Sequence, residues 1–488
     1  MTLTSERTLV AGPAQRQTYR GLIDGPGEPH LVRTELGGSA DGDLTPNGAP
    51  IAVIAHLTDL HVIDAQSPAR FEFVNRYWRD PRFRELITMQ RPQEMLSTHA
   101  IAAMVQTING IKAAPLTGEA PRIAAMTGDG VDNAQRNELA NFLALLDGGT
   151  VRPDSGMPGY EGVQRPGWPG DIYWRPDGGD DVYRRDLGYP DVPGMLDEAV
   201  REFESDGLRI PWLRCWGNHE QVCQGVGVVT PALAKAMVGS RKPVEMPPGI
   251  DPDTAVETFA VAPERYMTGA YREVAPDRDR GPIERGDLFE ESHHVHDDGM
   301  VRYITLDTVC DGGGADGTID PAQLHWLERR LEEVHSSFRT RDGSNVPTRN
   351  PDRYVVILSH HGYDTLSNPH CKRRADDLLE LLLRFDNVIL WLNGHTHANR
   401  ITPRRKFWEV TTASIIDWPS QARLVEVYRT LSGVLAIGCT MLDHDGEGLQ
   451  ALHRELAANV PWNGLDSIRA GTPADRNTVL LLRVPFVA

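Results

Sequence analysis

The chain has 488 residues, a length that allows one large domain with insertions or two to three ordinary domains. Its hydrophobic fraction of 40% and charged fraction of 24% are close to globular averages and exclude a disordered or fibrous chain. A formal net charge of −18 argues against a nucleic-acid backbone or an anionic membrane as the main partner, although bound dications would still let an acidic site take an anionic substrate.

The cysteines and the N-terminal segment indicate a compartment. Five scattered cysteines do not make a disulfide framework, and we expect them to be reduced, buried thiols. Residues 1–50 contain no apolar core of signal-peptide type, and no run approaches the eighteen or so apolar residues of a membrane helix. These features predict a cytoplasmic protein that is not inserted in a membrane.

In chain order, residues 1–50 form an N-terminal arm that either packs on the body or stays mobile. A short apolar run, Ile51–Leu57, predicts a buried strand and leads directly into Thr58-Asp59-Leu60-His61. Helical spacing follows over residues 100–111. The first acidic and imidazole side chains that can bind a metal therefore lie just past a strand.

The stretch Thr127 to Asn133 (TGDGVDN) follows a second apolar run, Arg122–Met126, and precedes a helix predicted over residues 134–147. A strand that ends in a glycine turn leaves the Asp129 carboxylate at the carboxyl edge of a sheet, where open α/β sheets bind ligands. One carboxylate can bridge two cations roughly 3.5 to 4 Å apart. A Gly-Asp-Gly turn is also ordinary loop chemistry, so this motif alone is weak evidence.

Two long loop-rich insertions interrupt the body, at about residues 148–192 and 224–298. The first is dense in Gly, Pro and aromatic residues, and we expect it to be a substrate lid or an oligomer contact. The second ends in His293, His294 and His296, which are either a metal site or, more commonly, an exposed loop cluster.

Three further apolar runs, over residues 210–216, 354–358 and 388–392, lead into Gly217-Asn218-His219-Glu220, Ser359-His360-His361 and Asn393-Gly394-His395-Thr396-His397. Later runs near residues 407–411, 423–428, 434–439 and 479–484 predict strands that complete the sheets. Five strands thus end in turns that carry Asp, Asn or His. Oxygen and imidazole donors without thiolate suit Mn, Fe or Zn, and their number indicates two ions.

The motif series resembles that of the calcineurin-like binuclear metallophosphoesterases. The family series DxH, GDxxD, GNH[E/D], H and GHxH appears here, in order, at residues 59–61, 128–132, 217–220, 360 and 394–397. The family's purple members carry a tyrosine where this chain has Asp132, so the resemblance is to the bacterial, non-purple type. It implies an α/β fold, a four-layer sandwich of two mixed β-sheets flanked by helices, over residues 51–488.

The resemblance also implies seven metal ligands in two sets with a bridging carboxylate. The sets are Asp59, His61 and His397 for one ion and Asn218, His360 and His395 for the other, with Asp129 as the bridge. His219 is left over and resembles the family histidine that contacts the phosphoryl oxygen or protonates the leaving group, which makes it the candidate general acid. Ligand histidines need a partner on the free ring nitrogen, which Asp132, Glu220 or Asp64 can supply. His361 and Arg400 are substrate-contact candidates, with a structural role equally open.

These residues predict a metal-dependent hydrolase of phosphate esters. Two divalent or trivalent ions (Mn, Fe or Zn) would provide a bridging hydroxide for in-line attack on phosphorus. The sequence leaves open a phosphatase or a phosphodiesterase acting on a small phosphate ester, and an oligomer is possible. The alternative is a non-catalytic metal-binding scaffold or interaction protein on the same fold.

Overall fold

The short apolar runs form β-strands, and most of them end in loops that carry the polar motifs. The computed structural model describes residues 2–86, 89–369 and 375–486. Cys371 lies outside the described residues, whereas Cys215, Cys223, Cys310 and Cys439 are buried and form no disulfide with one another. No helix in the described part of the chain is both long and apolar enough to cross a bilayer.

The described residues contain strands that range from two to ten residues. In chain order they are β1 Thr2–Leu3, β2 Arg7–Arg16, β3 Tyr19–Pro26, β4 Leu31–Leu36, β5 Ala52–Leu57, β6 Ile123–Met126, β7 Gly149–Val151, β8 Phe203–Ser205, β9 Trp212–Arg214, β10 Arg241–Pro243, β11 Tyr271–Glu273, β12 His294–Asp298, β13 Val301–Thr305, β14 Ser337–Arg339, β15 Asn345–Pro347, β16 Tyr354–Leu358, β17 Val388–Asn393, β18 Arg400–Arg404, β19 Phe407–Thr411, β20 Gln421–Arg429, β21 Leu435–Asp443 and β22 Thr478–Leu482.

Helices of four to fourteen residues connect these strands, together with short 3₁₀ and π turns. They are α1 Ser97–Gly110, α2 Arg136–Asp147, α3 Met195–Ala199, α4 Val222–Gly225, α5 Pro231–Met237, α6 Ala255–Val261, α7 Arg285–Leu288, α8 Pro321–Glu332, α9 Ala375–Leu382 and α10 Leu449–Ala458. Local chemistry explains where α8 begins. Asp320 accepts hydrogen bonds from the backbone N–H groups of Ala322 and Gln323, and Pro321 occupies the first turn.

Two mixed sheets form the body. The larger has the order β4-β22-β21-β20-β5-β6-β9, with β1 paired to β21, and its strands β5, β6 and β9 are parallel. The smaller has the order β12-β13-β16-β17-β19-β18, with β13, β16, β17 and β19 parallel. The carboxyl ends of five of these parallel strands lead into the five polar motifs, as predicted.

One hydrophobic cluster contains side chains from both sheets, including Ile54 and Val425 of the larger and Val356 and Leu390 of the smaller. Helices α1 and α2 pack in a second cluster with residues of the larger sheet. Helices α8 and α9 pack in a third with residues of the smaller sheet. The fold is therefore α/β, with mixed sheets flanked by helices.

The N-terminal arm packs on the body. Strand β4 pairs in parallel with β22, β1 pairs with β21, and β2 and β3 form an antiparallel hairpin. The irregular composition of residues 1–50 hides these strands because most of their side chains are exposed or half-buried, which removes the apolar alternation of a core strand. The boundaries of the arm and of the insertions stay predictions.

Two expectations for the insertions differ from the structure. The large aromatic side chains of the first insertion, which we expected in a contact surface, are mostly buried: Trp174, Tyr183 and Tyr189 pack with Tyr19 of the N-terminal hairpin. Rings of this size contribute most when they are removed from water, and here they pack in one cluster with residues of the body such as Leu96 and Ile416. His294 and His296 lie in β12, which pairs with β13, rather than in an exposed loop.

Candidate metal centre

The five polar loops converge at one place, where the carboxyl ends of β5, β6 and β9 meet those of β16 and β17. Adjacent strands end at matching positions, since Leu57 pairs with Met126 and Leu358 with Leu392. The loop after β5 continues this pairing, with the backbone N–H of His61 donating to the carbonyl of Asp129 at 3.0 Å. Parallel strands therefore bring together donors that lie far apart in the chain.

The structure groups the first set of predicted ligands within a few ångströms. His61 Nε2 lies 3.2 Å from His397 Nε2, and His397 Nε2 lies 3.3 Å from Asp59 Oδ1. Together with Asp129 these side chains are buried and place one donor atom each within 4.8 Å of one another. Atoms that share one tetrahedral ion at about 2.0 to 2.2 Å lie about 3.4 Å apart, so this spacing suits a common ion.

The second set is equally close. Asn218 Oδ1 lies 2.9 Å from His360 Nε2 and 3.0 Å from His395 Nδ1. Asp129 stands between the two sets, because its Oδ2 is 3.2 Å from His360 Nε2 and 3.8 Å from His61 Nε2. One carboxylate oxygen thus faces both groups of donors, the position that a bridging ligand needs.

Left-handed backbone angles recur at these ligands. The φ angle is between 50° and 68° at Asp59, His61, Asp129, His395 and His397. Such angles cost non-glycine residues about 1 to 3 kcal/mol each and persist only where the surrounding structure holds them. Five strained positions among the seven predicted ligands make this cluster a candidate functional site.

The glycines of the motifs allow close packing of the loops. A Cβ on Gly128 would lie 2.6 Å from Nδ1 of His360. A Cβ on Gly217 would collide with the Asp129 carboxylate, and one on Gly394 with Asp59 and Thr58. Glycine at these three positions is therefore required for the donor loops to approach one another.

The outer ring nitrogens of three ligand histidines have hydrogen-bond partners. His61 Nδ1 lies 3.0 Å from Asp132 Oδ1, His397 Nδ1 lies 2.7 Å from Asp417 Oδ2, and His360 Nδ1 lies 2.8 Å from the backbone oxygen of Thr127. His395 Nε2 is 3.8 Å from Asp316, beyond hydrogen-bond range. Such partners orient a ligand imidazole and make the inner nitrogen more basic.

Arginine side chains form ion pairs with Asp132 and Asp417, the two carboxylates that hydrogen-bond ligand histidines. The Arg70 guanidinium donates to Asp132 at 2.5 Å and to Glu94 at 2.9 Å, and all three side chains are buried. Arg91 and Arg469 both donate to Asp417, each at 2.9 Å. Buried charges need such partners, so the first ligand set rests on a network of ion pairs.

The pKa shifts of most donors favour the protonation state that binds a cation. Although burial acts in the opposite direction, the imidazoles of His360 and His219 hold the pKa of Asp129 well below its usual range. Burial, with the charge of His219, lowers the pKa of His61 to about 4, so this imidazole is neutral at pH 7. Against its burial, the Asp129 carboxylate raises the pKa of His360 to about 9, so His360 must release a proton in order to bind a metal.

His219 lies beside the ligands. Its ring centroid is 4.3 Å from that of His61, and its Nδ1 is 2.8 Å from the backbone oxygen of Asp132. His219 lines a cavity of about 150 Å³ together with Asp129, Asn218, His395 and His397. Since Nδ1 is engaged with a carbonyl, Nε2 is the atom that can exchange a proton in this cavity.

Four of the predicted supporting residues have other contacts. Glu220 accepts from the backbone N–H groups of Asp129, Gly130, Val131 and Gly217, so it shapes the bridging turn instead of pairing with a histidine. Asp64 pairs with Arg280 at 2.9 Å. His361 contacts Thr308 and the backbone of Ala315, and Arg400 pairs with Asp364 at 2.8 Å. Neither His361 nor Arg400 lines the metal cavity among the described residues.

Sequence reasoning missed three residues that the structure brings to the site. Asp417 backs His397, and Arg91 and Arg469 line the cavity. The sequence feature that marks Asp417 is its place directly after the apolar pair Ile415-Ile416, since a carboxylate is unusual in a core segment. The two arginines belong to no motif of the series.

Neither a family model nor a curated protein matches the chain. Among solved structures, it is similar to a dimetal phosphatase from Danio rerio, with 11% identity and a TM-score of 0.37 over 81% of this chain and 100% of that one. It is also similar to a putative 5'-nucleotidase from Staphylococcus aureus in complex with alpha-ketoglutarate, with 14% identity and a TM-score of 0.21 over 35% of this chain and 34% of that one.

Proposed function

We propose that the protein is a metal-dependent hydrolase of phosphate esters with a two-metal centre. The observation that carries this proposal is the convergence of seven donors from five strand ends, with the Asp129 carboxylate between the two sets. The side chains grouped in each set are those that the resemblance implies as ligands of each ion. The same resemblance underlies our proposal that the flanked sheets form the family's four-layer sandwich.

The residues present fit Mn, Fe or Zn. The donors are carboxylate, amide and imidazole, and no cysteine of the described residues belongs to the cluster. Asp59, His61 and His397 would hold one ion, Asn218, His360 and His395 the other, and Asp129 both. When bound, such a pair activates water and neutralises charge on phosphoryl oxygens.

His219 is proposed to protonate the leaving group. Although burial lowers its pKa, the carboxylates of Asp129 and Asp132 raise that pKa above the ordinary value, which favours the charged ring. The ring is fixed through Nδ1 and through a backbone hydrogen bond of 2.8 Å from His219 N to Asp129 Oδ1. A proton on Nε2 is thus held at the cavity, where a departing oxygen needs it.

Metal analysis is the first test of this proposal. Protein purified without chelator is expected to contain two equivalents of Mn, Fe or Zn per chain. Substitutions His61→Ala and His360→Ala are each expected to lower that content, since each removes a donor from one set. Full metal content in both variants would contradict the assignment of the ligands.

Activity is the second test. Metal-loaded protein is assayed with p-nitrophenyl phosphate, bis(p-nitrophenyl) phosphate and cyclic AMP, which separates monoester from diester hydrolysis. Turnover of at least one ester is expected, and it should be lost after chelation and in His395→Ala. The alternative, a non-catalytic metal-binding scaffold, gives His219 no role, and inactivity on all esters at full metal occupancy would establish it.

A further inference from the structure

Two arginines line the metal cavity, and Arg469 is the more open of the two. It lines this space of about 150 Å³ together with His397 and Asp129. The side chain of Arg469 is 19% exposed, whereas that of Arg91 is 3% exposed. Arg469 is therefore the arginine that a group entering the cavity can reach.

Both ends of Arg469 are fixed beside a predicted ligand. Its backbone carbonyl accepts a hydrogen bond of 2.8 Å from the N–H of Asn399, two residues after His397. Its Nη1 donates to Asp417 Oδ2 at 2.9 Å, and the same oxygen lies 2.7 Å from His397 Nδ1. The guanidinium is thus held next to the imidazole of His397.

Most of the hydrogen-bonding capacity of this guanidinium is unused. An arginine has five N–H donors in a planar fork. In the described part of the chain, the Arg469 side chain has one acceptor, Asp417, which it reaches through Nη1. Asp417 also accepts from Arg91 at 2.9 Å, so two guanidinium groups share its charge. Nε and Nη2 of Arg469 remain available to an anion in the cavity.

The chemistry of phosphate esters gives these donors a use. The phosphoryl group of a monoester presents three acceptor oxygens and carries close to two negative charges at neutral pH. A diester has lost one of these oxygens, with its charge, to a second ester bond. Guanidinium groups bind phosphoryl oxygens through charge-assisted and often paired hydrogen bonds. Open N–H donors beside the ligands therefore favour the monoester, which has one more charged oxygen.

The size of the cavity agrees with a monoester. Sites that enclose whole drug-sized molecules typically have about 300 to 1,000 Å³, several times the volume of this cavity. A space of about 150 Å³ suits a phosphoryl group, and the organic part of the ester then lies outside it. A monoester has a single organic group to place there, whereas a diester has two.

We propose that Arg469 binds a non-bridging phosphoryl oxygen of the substrate, and that the protein thereby prefers phosphate monoesters. This inference rests on the proposed hydrolase function and names its substrate class. Nε and Nη2 of Arg469 donate to the phosphoryl group while Nη1 stays on Asp417. The role differs from that of His219, because an arginine keeps its protons and only donates hydrogen bonds.

The test compares p-nitrophenyl phosphate with bis(p-nitrophenyl) phosphate, which share one leaving group, on metal-loaded protein. The wild type is expected to prefer the monoester. Arg469→Met should lower kcat/KM about 100-fold for the monoester and less than about threefold for the diester, because only the monoester presents the additional charged oxygen. Arg469→Lys keeps the charge but not the planar fork and should lie between wild type and Arg469→Met.

Binding of inorganic phosphate gives a readout that does not depend on turnover. Calorimetric titration of metal-loaded protein should show an affinity about 10 to 100-fold lower in Arg469→Met than in wild type. The metal content of Arg469→Met should stay at the wild-type value, because Asp417 keeps its pair with Arg91. Arg302→Met removes another arginine that is mostly buried and paired with carboxylates, in β13, and should keep the wild-type affinity and ratio.

The outcomes separate the role of Arg469 from the hydrolase function. An unchanged ratio of the two esters in Arg469→Met, with turnover and metal content intact, would overturn this assignment alone, and so would a wild type that prefers the diester. Equal losses on both esters together with loss of metal would also overturn it, because Arg469 would then act only through Asp417 and His397. No turnover of either ester by metal-loaded wild type would overturn the hydrolase function itself.

Discussion

The two ligand sets of the candidate centre differ in the groups that hydrogen-bond their histidines. His61 and His397 each hydrogen-bond a fully buried aspartate, and arginines hold those aspartates in turn. In the second set His360 is backed by a backbone carbonyl, and His395 faces Asp316, which is 45% exposed and 3.8 Å away. We therefore expect an enclosed, tightly held ion in the first set and a weaker, more exchangeable ion in the second.

The largest effect is expected where the two sets meet. Asp129→Ala removes the carboxylate that faces both, so it should lower kcat by at least about a thousandfold, as expected when a group needed by the reacting atoms is lost. The measurement is steady-state hydrolysis of the best ester at saturating metal. Asp41→Ala, at an exposed position of the arm, serves as the control. A wild-type rate in Asp129→Ala would contradict the proposed role of Asp129 between the two ligand sets.

The stability of the fold should depend strongly on the buried ion pairs next to the first ligand set. Arg70→Met leaves Asp132 and Glu94 buried without their partner, so the free energy of unfolding should fall by about 3 to 5 kcal/mol. Urea unfolding in the presence of chelator measures this without a contribution from metal binding. Arg82→Met, which breaks an exposed pair with Asp80, should cost far less. Equal losses would show that the network does not stabilise the fold.

Metal affinity should separate the two sets directly. Asp417→Asn removes the charge behind His397 and should weaken binding of the tighter ion about 10 to 100-fold. Asp316→Asn, the matching change behind His395, should change affinity by less than about threefold because its carboxylate is half in solvent. Competition with a chelating dye gives both values. The opposite order would reverse the assignment of tight and exchangeable ions.

A smaller effect concerns pH. Burial, with the charge of Arg454, lowers the pKa of His453 to about 3. The unfolded chain binds this proton near pH 6.5, so the stability due to the neutral ring is complete above pH 6.5 and is lost as pH falls towards 3. At pH 5 the loss is about 2 kcal/mol, and His453→Leu should not show it.

Urea unfolding at pH 7 and pH 5, with chelator present, measures this difference. The charge of Asp417 acts on the pKa of His453, so the result also reports on the surroundings of the first ligand set. The exposed His325→Gln should behave as wild type at both values. If His453→Leu loses as much stability as wild type on acidification, the neutral histidine is not responsible.

The approach of the ligands could be predicted because parallel strands deliver their carboxyl ends to one edge. Asp129, His360 and His395 each follow a strand that is visible as an apolar run, and the structure brings their loops together. Asp417 and Arg469 could not be found in this way. They come from loops after the last motif, and only tertiary packing decides which histidine they support.

The hydrogen-bond partners of Asp64 and Glu220 could not be predicted from the sequence either. Asp64 and Glu220 are near the ligands in the chain, yet Asp64 meets Arg280 from the second insertion and Glu220 meets backbone N–H groups. The strands of the arm were missed for a different reason. Pairing of β4 with β22 joins segments more than four hundred residues apart, and its side chains show no apolar alternation.

The left-handed backbone at the donor residues has a consequence for engineering. Glycine would relax the backbone at His61, whose ring is neutral at pH 7, so a library selected for heat resistance alone should enrich His61→Gly, and the surviving proteins would be stable but inactive. Screening for thermostable variants of this protein therefore has to be coupled to a readout of metal retention from the first round.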